Sequence, residues 1–490
     1  MTLLESAAAA GVPVPAYDRS RVAAGIVHVG VGGFARAHLA EYCDRLLAAG
    51  ERAWGICGVG TQPGDRGLSE VLLAQDGLYT LVVKHPDGRL EPRVVGSLVS
   101  YLYAPDDPEA VVEQMAAATT RIVSLTITEG GYLVDPTSRR FTPQAQPAVL
   151  LDLQPGAAPS TVFALVVEAL ARRRARGLPP FTVLSCDNVQ RNGDVAREAF
   201  AGFAALRDAE LGDWVRGHVA FPSSMVDRIT PATTDEDRAA LAERGVPDGW
   251  PVVCEAFQQW VLEDAFGLGR PPLETVGVQL VDDVHPYELM KLRLLNAGHQ
   301  ALGYLGHLAG HRTTDAACAD PLLAAFLRAY LEREATPALP PVPGIDLADY
   351  RRTLLERFAN PYVRDTLARL CAESSDRIPT FLLPVVRAQR AAGGEFACSA
   401  LVVAAWARYA EGVDERGEPI RLVDRLLETV HAAAEHSRQD PAAFLRDTGV
   451  FGDLATDAAF VEAFTRSLAA LRRQGVRATV QELLDGTGPR

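Results

Sequence analysis

The sequence predicts an α/β domain followed by a mainly α-helical domain. Two observations predict this order. Strand-like runs alternate with helical runs through the first 284 residues, a pattern typical of a parallel sheet covered by helices. Helix-like periodicity then continues to the end of the chain. We therefore expect a first domain at residues 1–284 and a second at residues 285–490.

The elements of the first half follow from the local pattern of apolar residues. Short apolar runs bounded by glycine, proline or polar residues predict strands, and longer runs predict helices. Their alternation implies a parallel sheet. Strands are expected at residues 25–30, 53–59, 79–83, 94–98, 122–128, 181–186 and 276–280, and helices at 34–48, 108–117 and 162–174.

The second half reads as helix after helix. A proline-rich stretch at residues 336–344 predicts an extended connector inside this half. Helical runs are expected at residues 288–308, 321–331, 346–358 and 363–372, and they continue to residue 484.

Composition excludes several classes of protein. The chain has 490 residues, 48% apolar and 22% charged, so it is too apolar to be disordered and too long for one core. Its apolar runs, such as residues 401–407, end well before the roughly 18–20 residues that cross a bilayer, so no membrane partner is expected. The first residues lack the basic region of a secretory signal, which predicts a cytoplasmic protein.

Charge and cysteine content narrow the choice of ligand. A formal net charge of −14 disfavours binding to nucleic acid and favours small molecules. The cysteines are widely spread and form no C-x-x-C pair, which argues against a disulfide framework or a structural zinc site. We expect reduced, mostly buried thiols at Cys43, Cys57, Cys186, Cys254, Cys318, Cys371 and Cys398.

A glycine-rich turn follows the first predicted strand. Residues 30–35 read Gly-Val-Gly-Gly-Phe-Ala, a G-x-G-x-x-A turn that opens a helix and includes Gly33 and Phe34. Gly30 suits the tight turn, and Gly32 allows the backbone to approach a pyrophosphate at the helix N-terminus. A Rossmann-type dinucleotide-binding domain is therefore expected. The alternative is a glycine turn with a purely structural role.

The cofactor preference depends on the end of the second predicted strand. Asp65 lies just beyond this strand, where a carboxylate can accept both ribose hydroxyls and repel a 2′-phosphate. This position favours NAD over NADP. Two alternatives stay open, because Arg66 could bind a phosphate instead and Asp65 could simply shape a turn.

Lysine is almost absent, since Lys84 and Lys291 are the only lysines among 48 basic residues. Lys84 lies in a polar turn and is expected to be solvated. Lys291 lies on a largely apolar helix with Asn296 and His299. Burial would lower the pKa of Lys291 and make it a candidate general base. Asn296 and His299 share a helix face and could both hydrogen-bond a hydroxyl or a carbonyl.

The geometry of this helix leaves an alternative open. On an ideal α-helix, Lys291 and His299 would lie about 80° apart around the axis and about 12 Å apart along it. An acyclic, multi-carbon substrate could lie along the groove between them. Alternatively, Lys291 extends to the surface and His299 is a core histidine with satisfied hydrogen bonds.

Two further polar residues belong to the candidate site. Asn188 follows the predicted strand at residues 181–186, at the carboxyl edge of the sheet where ligands of α/β proteins bind. It could orient the substrate. Asp227 could add a carboxylate to the cleft, although a structural ion pair between Asp227 and Arg228 is an equal alternative.

Taken together, these segments resemble the mannitol dehydrogenase family, which also includes fructuronate and tagaturonate reductases. The resemblance covers nearly the whole chain. Its motifs are Ile-Val-His-Val-Gly-Val-Gly-Gly-Phe at 26–34, Ser-Leu-Thr-Ile-Thr-Glu-Gly-Gly-Tyr at 124–132, Leu-Ser-Cys-Asp-Asn at 184–188, Met-Val-Asp-Arg-Ile-Thr-Pro at 225–231 and the lysine helix at 288–300.

The resemblance implies a role for each candidate residue. Lys291 would be the catalytic base, and Asn188 and Asn296 would hold and polarise the reacting oxygen without a metal. The cofactor would be NAD, selected by Asp65. The resemblance also implies two further groups: His299, Asp227, Arg369 and Arg377 to bind the polyol, and Glu129 and Glu288 near a proton path to solvent.

The sequence departs from the family pattern at two positions. Ala35 stands where the glycine turn usually continues with histidine, which bears on the packing of that loop. Arg377 stands where a family member can carry lysine. The charge is kept, but a planar guanidinium differs in geometry from a point ammonium. Arg377 therefore bears on which substrate fits.

The expected reaction is the NAD-dependent oxidation of a secondary alcohol of an acyclic polyol to a ketose, and its reverse. D-mannitol with D-fructose is the first candidate pair, and D-arabinitol with D-xylulose is a close second. A hexuronate reductase is the nearest alternative, since Arg369 or Arg377 could bind a substrate carboxylate. A non-catalytic NAD-binding sensor is a more distant one. The resemblance also implies a monomer.

Overall fold

The computed structural model describes residues 1–135 and 138–486. The chain divides into two compact units, Met1–His285 and Pro286–Arg490. Within the described ranges, every helix is too short or too polar to cross a lipid bilayer.

The first unit contains the strands of the protein. Among the described residues they are β1 (Ala24–Val29), β2 (Gly55–Gly60), β3 (Tyr79–Lys84), β4 (Leu90–Val95), β5 (Leu98–Tyr103), β6 (Ile122–Leu125), β7 (Thr182–Ser185), β8 (Ser224–Asp227), β9 (Val252–Glu255), β10 (Gln259–Glu263) and β11 (Gln279–Val281). Five of them form a central sheet in the order β5-β2-β1-β6-β7, and each neighbouring pair is parallel. The predicted α/β fold is thereby confirmed.

The other six strands form two three-stranded sheets, in the orders β4-β3-β9 and β11-β10-β8. The predicted strand at residues 79–83 therefore does not join the central sheet. Only residues 85–89 connect β3 to β4, and such a short connection joins antiparallel neighbours.

The predicted strand at residues 94–98 is wrong as a single element. It spans the end of β4 at Val95 and the start of β5 at Leu98, which belong to different sheets. Between them, the Gly96 N–H donates to the Asp44 carboxylate at 2.9 Å and the Ser97 hydroxyl donates to a backbone carbonyl at 2.6 Å. These bonds replace sheet pairing and let the chain change sheets.

Helices cover both faces of the central sheet. Successive residues of β1 point to opposite faces, so Ile26 and Val27 belong to different apolar clusters. Burial on both faces explains the continuous apolar runs of these strands. The described helices of this unit are Leu3–Ala9, Gly33–Ala37, Leu39–Ala48, Arg66–Ala74, Pro108–Ala116, Pro147–Asp152, Val162–Ala175, Asn192–Arg207, Ala209–His218 and Asp235–Glu243.

The second unit is helical, as predicted. Its α-helices begin with His285–Met290 at the boundary and include Ala297–Leu308, Thr314–Ala319, Pro321–Ala329, Leu347–Phe358, Leu367–Leu370, Ser374–Arg377, Leu383–Ala392, Ala397–Tyr409, Leu427–His436, Ala443–Asp447 and Ala458–Leu484. Three π-helices are described among them, at Lys291–Asn296, Tyr330–Ala335 and Ile378–Leu382. A π-helix bonds residue i to residue i+5 and is frequent at functional sites.

Two predicted helices of this unit differ in the structure. The run at residues 288–308 is divided by the π-helix Lys291–Asn296. The run at residues 363–372 is helical only over Leu367–Leu370, because the Thr366 side chain caps this helix and the Asp365 carbonyl accepts bonds from Thr314.

Candidate active site

The glycine turn lies where the order of the central sheet reverses. The chain passes from β1 to β2 on one side, while β6 lies on the other, and ligands bind at the carboxyl ends of strands at such a point. Gly30 has a φ of +90°, and a Cβ there would lie 2.1 Å from the Thr126 carbonyl oxygen. A Cβ on Gly32 would have nothing closer than 3.9 Å. The turn thus needs glycine at position 30, and the space beside Gly32 is open, as the close approach of a ligand to the backbone requires.

The turn leads into the short helix Gly33–Ala37, with Gly32 as its N-cap. Phe34 stacks on His38 with ring centroids 4.8 Å apart. Ala35, at the position of the family's usual histidine, is buried. The smaller side chain is therefore enclosed by protein.

His28 couples β1 to β6 and was not singled out by the sequence. Its Nδ1 lies 2.8 Å from the Ser124 hydroxyl, and its Nε2 lies 3.1 Å from the Thr126 hydroxyl. Burial lowers the pKa of His28 to about 4, so the ring is neutral at physiological pH. The Thr126 hydroxyl also donates to the Gly30 carbonyl at 2.6 Å, which links this pair of strands to the glycine turn. A polar residue inside a buried strand was the available signal.

Asp65 lies in a short turn beyond β2. One of its oxygens, Oδ2, accepts the N–H groups of Thr61 and Gln62, both at 2.9 Å. Arg66 pairs with Asp106, with Nη2 and Oδ1 at 2.7 Å. Asp65 therefore shapes the turn, which was one of the two alternatives to a ribose ligand. Arg66, the alternative ligand for a phosphate, already has a carboxylate partner in Asp106.

Asn188 follows β7, and its neighbour Asp187 ties it to the loop after β6. The Asp187 carboxylate accepts the N–H groups of Ile127 at 3.0 Å and Thr128 at 2.9 Å, and the Tyr132 hydroxyl at 2.7 Å. Burial raises the pKa of Asp187 to about 6, although these hydrogen bonds oppose the rise. Asp187 was not predicted from the sequence as a functional residue. Its position directly after a strand was the signal that could have identified it.

The Asp187 contacts also hold a strained backbone. Thr128 has a φ of +68°, which is rare for a β-branched residue and persists only where surrounding bonds fix it. Glu129 follows directly and is exposed at the start of a 3₁₀ turn, Glu129–Tyr132. One carboxylate thus fixes the segments that carry both Asn188 and Glu129.

Asp227 is buried at the end of β8. The buried guanidinium of Arg228 donates to the Glu41 carboxylate at 3.2 Å, to the Ala37 carbonyl at 2.6 Å and to the Glu255 carbonyl at 3.1 Å. The structure therefore gives Arg228 a carboxylate partner other than its neighbour Asp227.

Lys291 and Asn296 lie at the two ends of one π-helix. Residues five apart are one turn apart on a π-helix, whereas on an α-helix they would point about 140° apart. The α-helical geometry assumed for this segment is therefore corrected, and Lys291 and Asn296 share a face. Lys291 is only 6% exposed, and Oδ1 of Asn296 is buried and has no hydrogen-bond partner within the described part of the chain.

The other lysine has a different environment from the one expected. Lys84 ends β3 and forms an ion pair with Asp237, with Nζ and Oδ1 2.6 Å apart. Its side chain is 13% exposed, so it is not a solvated charge. The two lysines of the chain are thus both withdrawn from water, but only Lys291 lies on a π-helix.

The π-helix is held by a second one. The Tyr330 hydroxyl, in Tyr330–Ala335, donates to the Arg293 carbonyl oxygen at 3.0 Å. The Arg293 side chain donates in turn to the Ala338 carbonyl in the connector, and the Tyr287 hydroxyl donates to the Pro343 carbonyl at 2.7 Å. Backbone groups that an interrupted α-helix leaves unsatisfied need such partners. Tyr330 and the π-helices were not predicted, because periodicity carries no signal for them.

The remaining candidates of the second unit lie along the same helices and the segment after Phe358. His299 is buried and stacks on Phe358 with ring centroids 4.2 Å apart. Glu288 is buried on His285–Met290. Arg377 donates through Nη1 to the carbonyls of Arg369 at 2.8 Å and Leu370 at 3.0 Å. The structure thus joins the two arginines through a backbone contact.

The chain belongs to the mannitol dehydrogenase family, so the predicted family is confirmed. Residues 24–275 match the family model of the mannitol dehydrogenase Rossmann domain, and residues 283–472 match that of the mannitol dehydrogenase C-terminal domain.

Two relatives named mannitol 2-dehydrogenase are similar over most of their length. A mannitol 2-dehydrogenase from Phaeosphaeria nodorum is 46% identical over 96% of this chain and 83% of the relative. One from Aspergillus fumigatus is 44% identical over 99% of this chain and 98% of the relative.

Two solved structures have the same fold. A Pseudomonas fluorescens mannitol 2-dehydrogenase, in a ternary complex with NAD and D-mannitol, matches with a TM-score of 0.90 and 45% identity over 97% of each chain. A D-sorbitol dehydrogenase in substrate-free form matches with a TM-score of 0.84 and 38% identity over 96% of this chain and 97% of the other.

Proposed function

We propose that this protein is an NAD-dependent polyol dehydrogenase that oxidises D-mannitol to D-fructose and catalyses the reverse reaction. The observation that carries the proposal is the 0.90 TM-score and 45% identity to a mannitol 2-dehydrogenase whose structure holds NAD and D-mannitol. The buried Lys291, one π turn from Asn296, supports it, because oxidation of an alcohol needs a base beside the reacting hydroxyl.

In this proposal, residues 1–284 bind NAD and residues 285–490 supply most of the groups that act on the polyol. Gly30, Gly32, Gly33 and Phe34 form the turn against the pyrophosphate, and Asp65 faces the ribose. The open space beside Gly32 supports this assignment, since a Cβ would occupy it. Bound NAD would accept the hydride that leaves the carbinol carbon.

Lys291 is the proposed base that takes the hydroxyl proton. Its side chain is buried, and in this role it would accept the proton in its neutral form. Asn188 and Asn296 are proposed to donate to the oxygen as negative charge develops on it. The buried Oδ1 of Asn296 also suits a donor from Lys291 or from a substrate hydroxyl. The proposed chemistry requires no metal.

Other polar residues complete the proposed site. His299, Asp227, Arg369 and Arg377 are proposed to bind the hydroxyls of the polyol chain. Glu129, which is exposed, and Glu288, which is buried, are proposed to pass the proton between Lys291 and water. We further propose that the enzyme is a cytoplasmic monomer.

The test is the oxidation of NADH, followed by its absorbance, with D-fructose, D-xylulose and D-fructuronate in parallel. D-fructose should have the highest kcat/KM, and NADPH should be a poor replacement for NADH. A preference for D-xylulose would assign the D-arabinitol pair, and turnover of D-fructuronate alone would assign a hexuronate reductase. NADH binding without turnover of any substrate would indicate a sensor. Size-exclusion chromatography tests the monomer.

A further inference from the structure

A buried carboxylate binds the guanidinium of Arg369. Oδ1 of Asp365 lies 2.7 Å from Nε of Arg369, and Oδ2 accepts from Nη2, so the contact is bidentate. The Asp365 side chain is 5% exposed, and the Arg369 side chain is 49% exposed. Part of the Arg369 side chain is therefore exposed to solvent, while Nε and Nη2, which form one edge of the guanidinium, are both bonded to Asp365.

The backbone fixes the position of Asp365. The Thr314 N–H and hydroxyl both donate to the Asp365 carbonyl at 2.9 Å. Thr366, the next residue, is the N-cap of Leu367–Leu370, the helix that carries Arg369. These bonds fix the backbone from which the carboxylate extends, close to the helix that carries Arg369.

The pair is charged on both sides. Burial disfavours the ionised form of Asp365, but hydrogen bonds and charge from Arg369, with a contribution from the charge of His299, hold its pKa below its usual value. The same partner raises the pKa of Arg369. The pair thus has no net charge, and it lies within electrostatic range of His299.

A neutral pair suits a neutral substrate. An unpaired guanidinium would bind a substrate carboxylate with two parallel hydrogen bonds. Here Asp365 already occupies one edge of that fork, and its negative charge would repel a second carboxylate beside it. A sugar hydroxyl bears no charge and can still accept a hydrogen bond from the guanidinium.

We propose that Asp365 is a specificity-determining residue that selects uncharged polyols and ketoses against hexuronates by neutralising Arg369. The proposal rests on the proposed function, in which Arg369 binds the substrate chain. Asp365 contacts Arg369, and it would discriminate between neutral and charged substrates through that arginine.

The test is the ratio of kcat/KM for D-fructuronate to kcat/KM for D-fructose, measured with NADH. Asp365→Asn should raise this ratio about tenfold or more, mainly through a lower KM for D-fructuronate, because the charge of Arg369 becomes available. The double variant Asp365→Asn with Arg369→Gln should lose the gain. A ratio that stays within about twofold of the wild type in a folded Asp365→Asn, or a gain that persists in the double variant, overturns the proposal.

The chain offers a matched control. Asp414 pairs with Arg312 at 2.8 Å, and the side chains are 0% and 50% exposed, nearly as in the first pair. Asp414→Asn should leave the ratio unchanged, and an equal rise there would overturn the proposal. If Asp365→Asn does not fold, Arg369→Gln alone provides the test. It leaves Asp365 without its countercharge, so the ratio should fall, and a rise would contradict the proposal.

Failure of the proposed function has a different outcome. If the wild type reduces no neutral ketose with NADH but reduces D-fructuronate, both the proposed function and the role of Asp365 are overturned. If the wild type reduces D-fructose and Asp365→Asn leaves the ratio unchanged, only the role of Asp365 fails.

Discussion

The two units hold their candidate residues on different kinds of backbone. In the first unit, Gly30 and Asn188 follow parallel strands, and their positions follow from the order of the sheet. In the second unit, Lys291 and Asn296 lie on a π-helix whose carbonyl at Arg293 is held by Tyr330. A strand end is a regular feature of the fold, whereas a π turn costs a regular helical bond and needs an external partner. The second arrangement should therefore be more sensitive to single changes.

The sharpest test of this comparison uses the two lysines. Lys291→Ala should lower kcat for D-fructose reduction about a thousandfold, because a positioned general base contributes roughly 10²–10⁴-fold. NADH binding, followed by fluorescence titration, should stay within about twofold of the wild type, since the variant leaves the glycine turn unchanged.

Lys84→Ala is the control in the first unit. It removes the ion pair with Asp237 and should lower the melting temperature without lowering kcat. Full activity of Lys291→Ala would remove the base assignment. An equal loss of kcat in both variants would show that the loss follows from removing a buried lysine from the fold and not from a role of Lys291 as base.

Two buried carboxyls extend the comparison to pH. Glu334, on the π-helix Tyr330–Ala335, accepts the N–H groups of Cys398 at 2.5 Å and Ser399 at 2.9 Å, and burial raises its pKa to about 7. A raised pKa means that the folded state binds the proton more tightly. Its stabilising contribution is complete below about pH 4.5 and is lost as the pH rises through about 7.

The free energy of unfolding should therefore fall by about 3 kcal/mol from pH 4.5 to 7 in the wild type relative to Glu334→Gln. Urea unfolding at several pH values measures this difference. Asp187→Asn should show a smaller effect between about pH 4 and 6, since Asp187 is less buried. Parallel pH profiles for the wild type and Glu334→Gln would show that folding does not raise the pKa of Glu334.

Removal of one hydroxyl tests the π-helix itself. Tyr330→Phe removes the hydroxyl that donates to the Arg293 carbonyl and should let the segment relax toward an α-helix, which turns Lys291 away from Asn296. We expect kcat for D-fructose to fall about tenfold and stability to fall by about 1 kcal/mol. The pH profile of kcat should also shift, because the surroundings of Lys291, the proposed base, change.

Tyr17→Phe is the matched control in the first unit, where the hydroxyl donates to Asp44 at 2.7 Å. It should reduce stability by a similar amount and leave kcat and its pH profile unchanged. If the two variants behave alike, Tyr330 has only a structural role.

The same difference explains what the sequence can predict. The glycine turn, the strand before Asn188 and the helical second half all follow from short-range patterns of apolar residues and glycine. The π-helix does not, because it depends on a bond between Tyr330 and Arg293, which are 37 residues apart. The strained Thr128 depends likewise on Asp187, 59 residues away.

Asp365 is an intermediate case. An aspartate four residues before an arginine is a recognisable ion pair on a predicted helix, and the run at residues 363–372 was expected to be helical. The pairing was therefore accessible to sequence reasoning. The burial of its carboxylate was not, since burial depends on tertiary packing, including the contact of Thr314 with the Asp365 backbone from a distant segment.

The smallest expected effect concerns the departure at Arg377. Its Nη1 donates to two backbone carbonyls, which an ammonium with three donors can also reach in part. Arg377→Lys, which carries the residue of a family member, should therefore change kcat/KM for D-fructose by no more than about threefold. Arg377→Leu should reduce it further, because the charge is lost with the donors. A drop of about a hundredfold in Arg377→Lys would show that the planar guanidinium itself is required. The second unit would then be sensitive to the geometry of a side chain as well as to that of its π-helix.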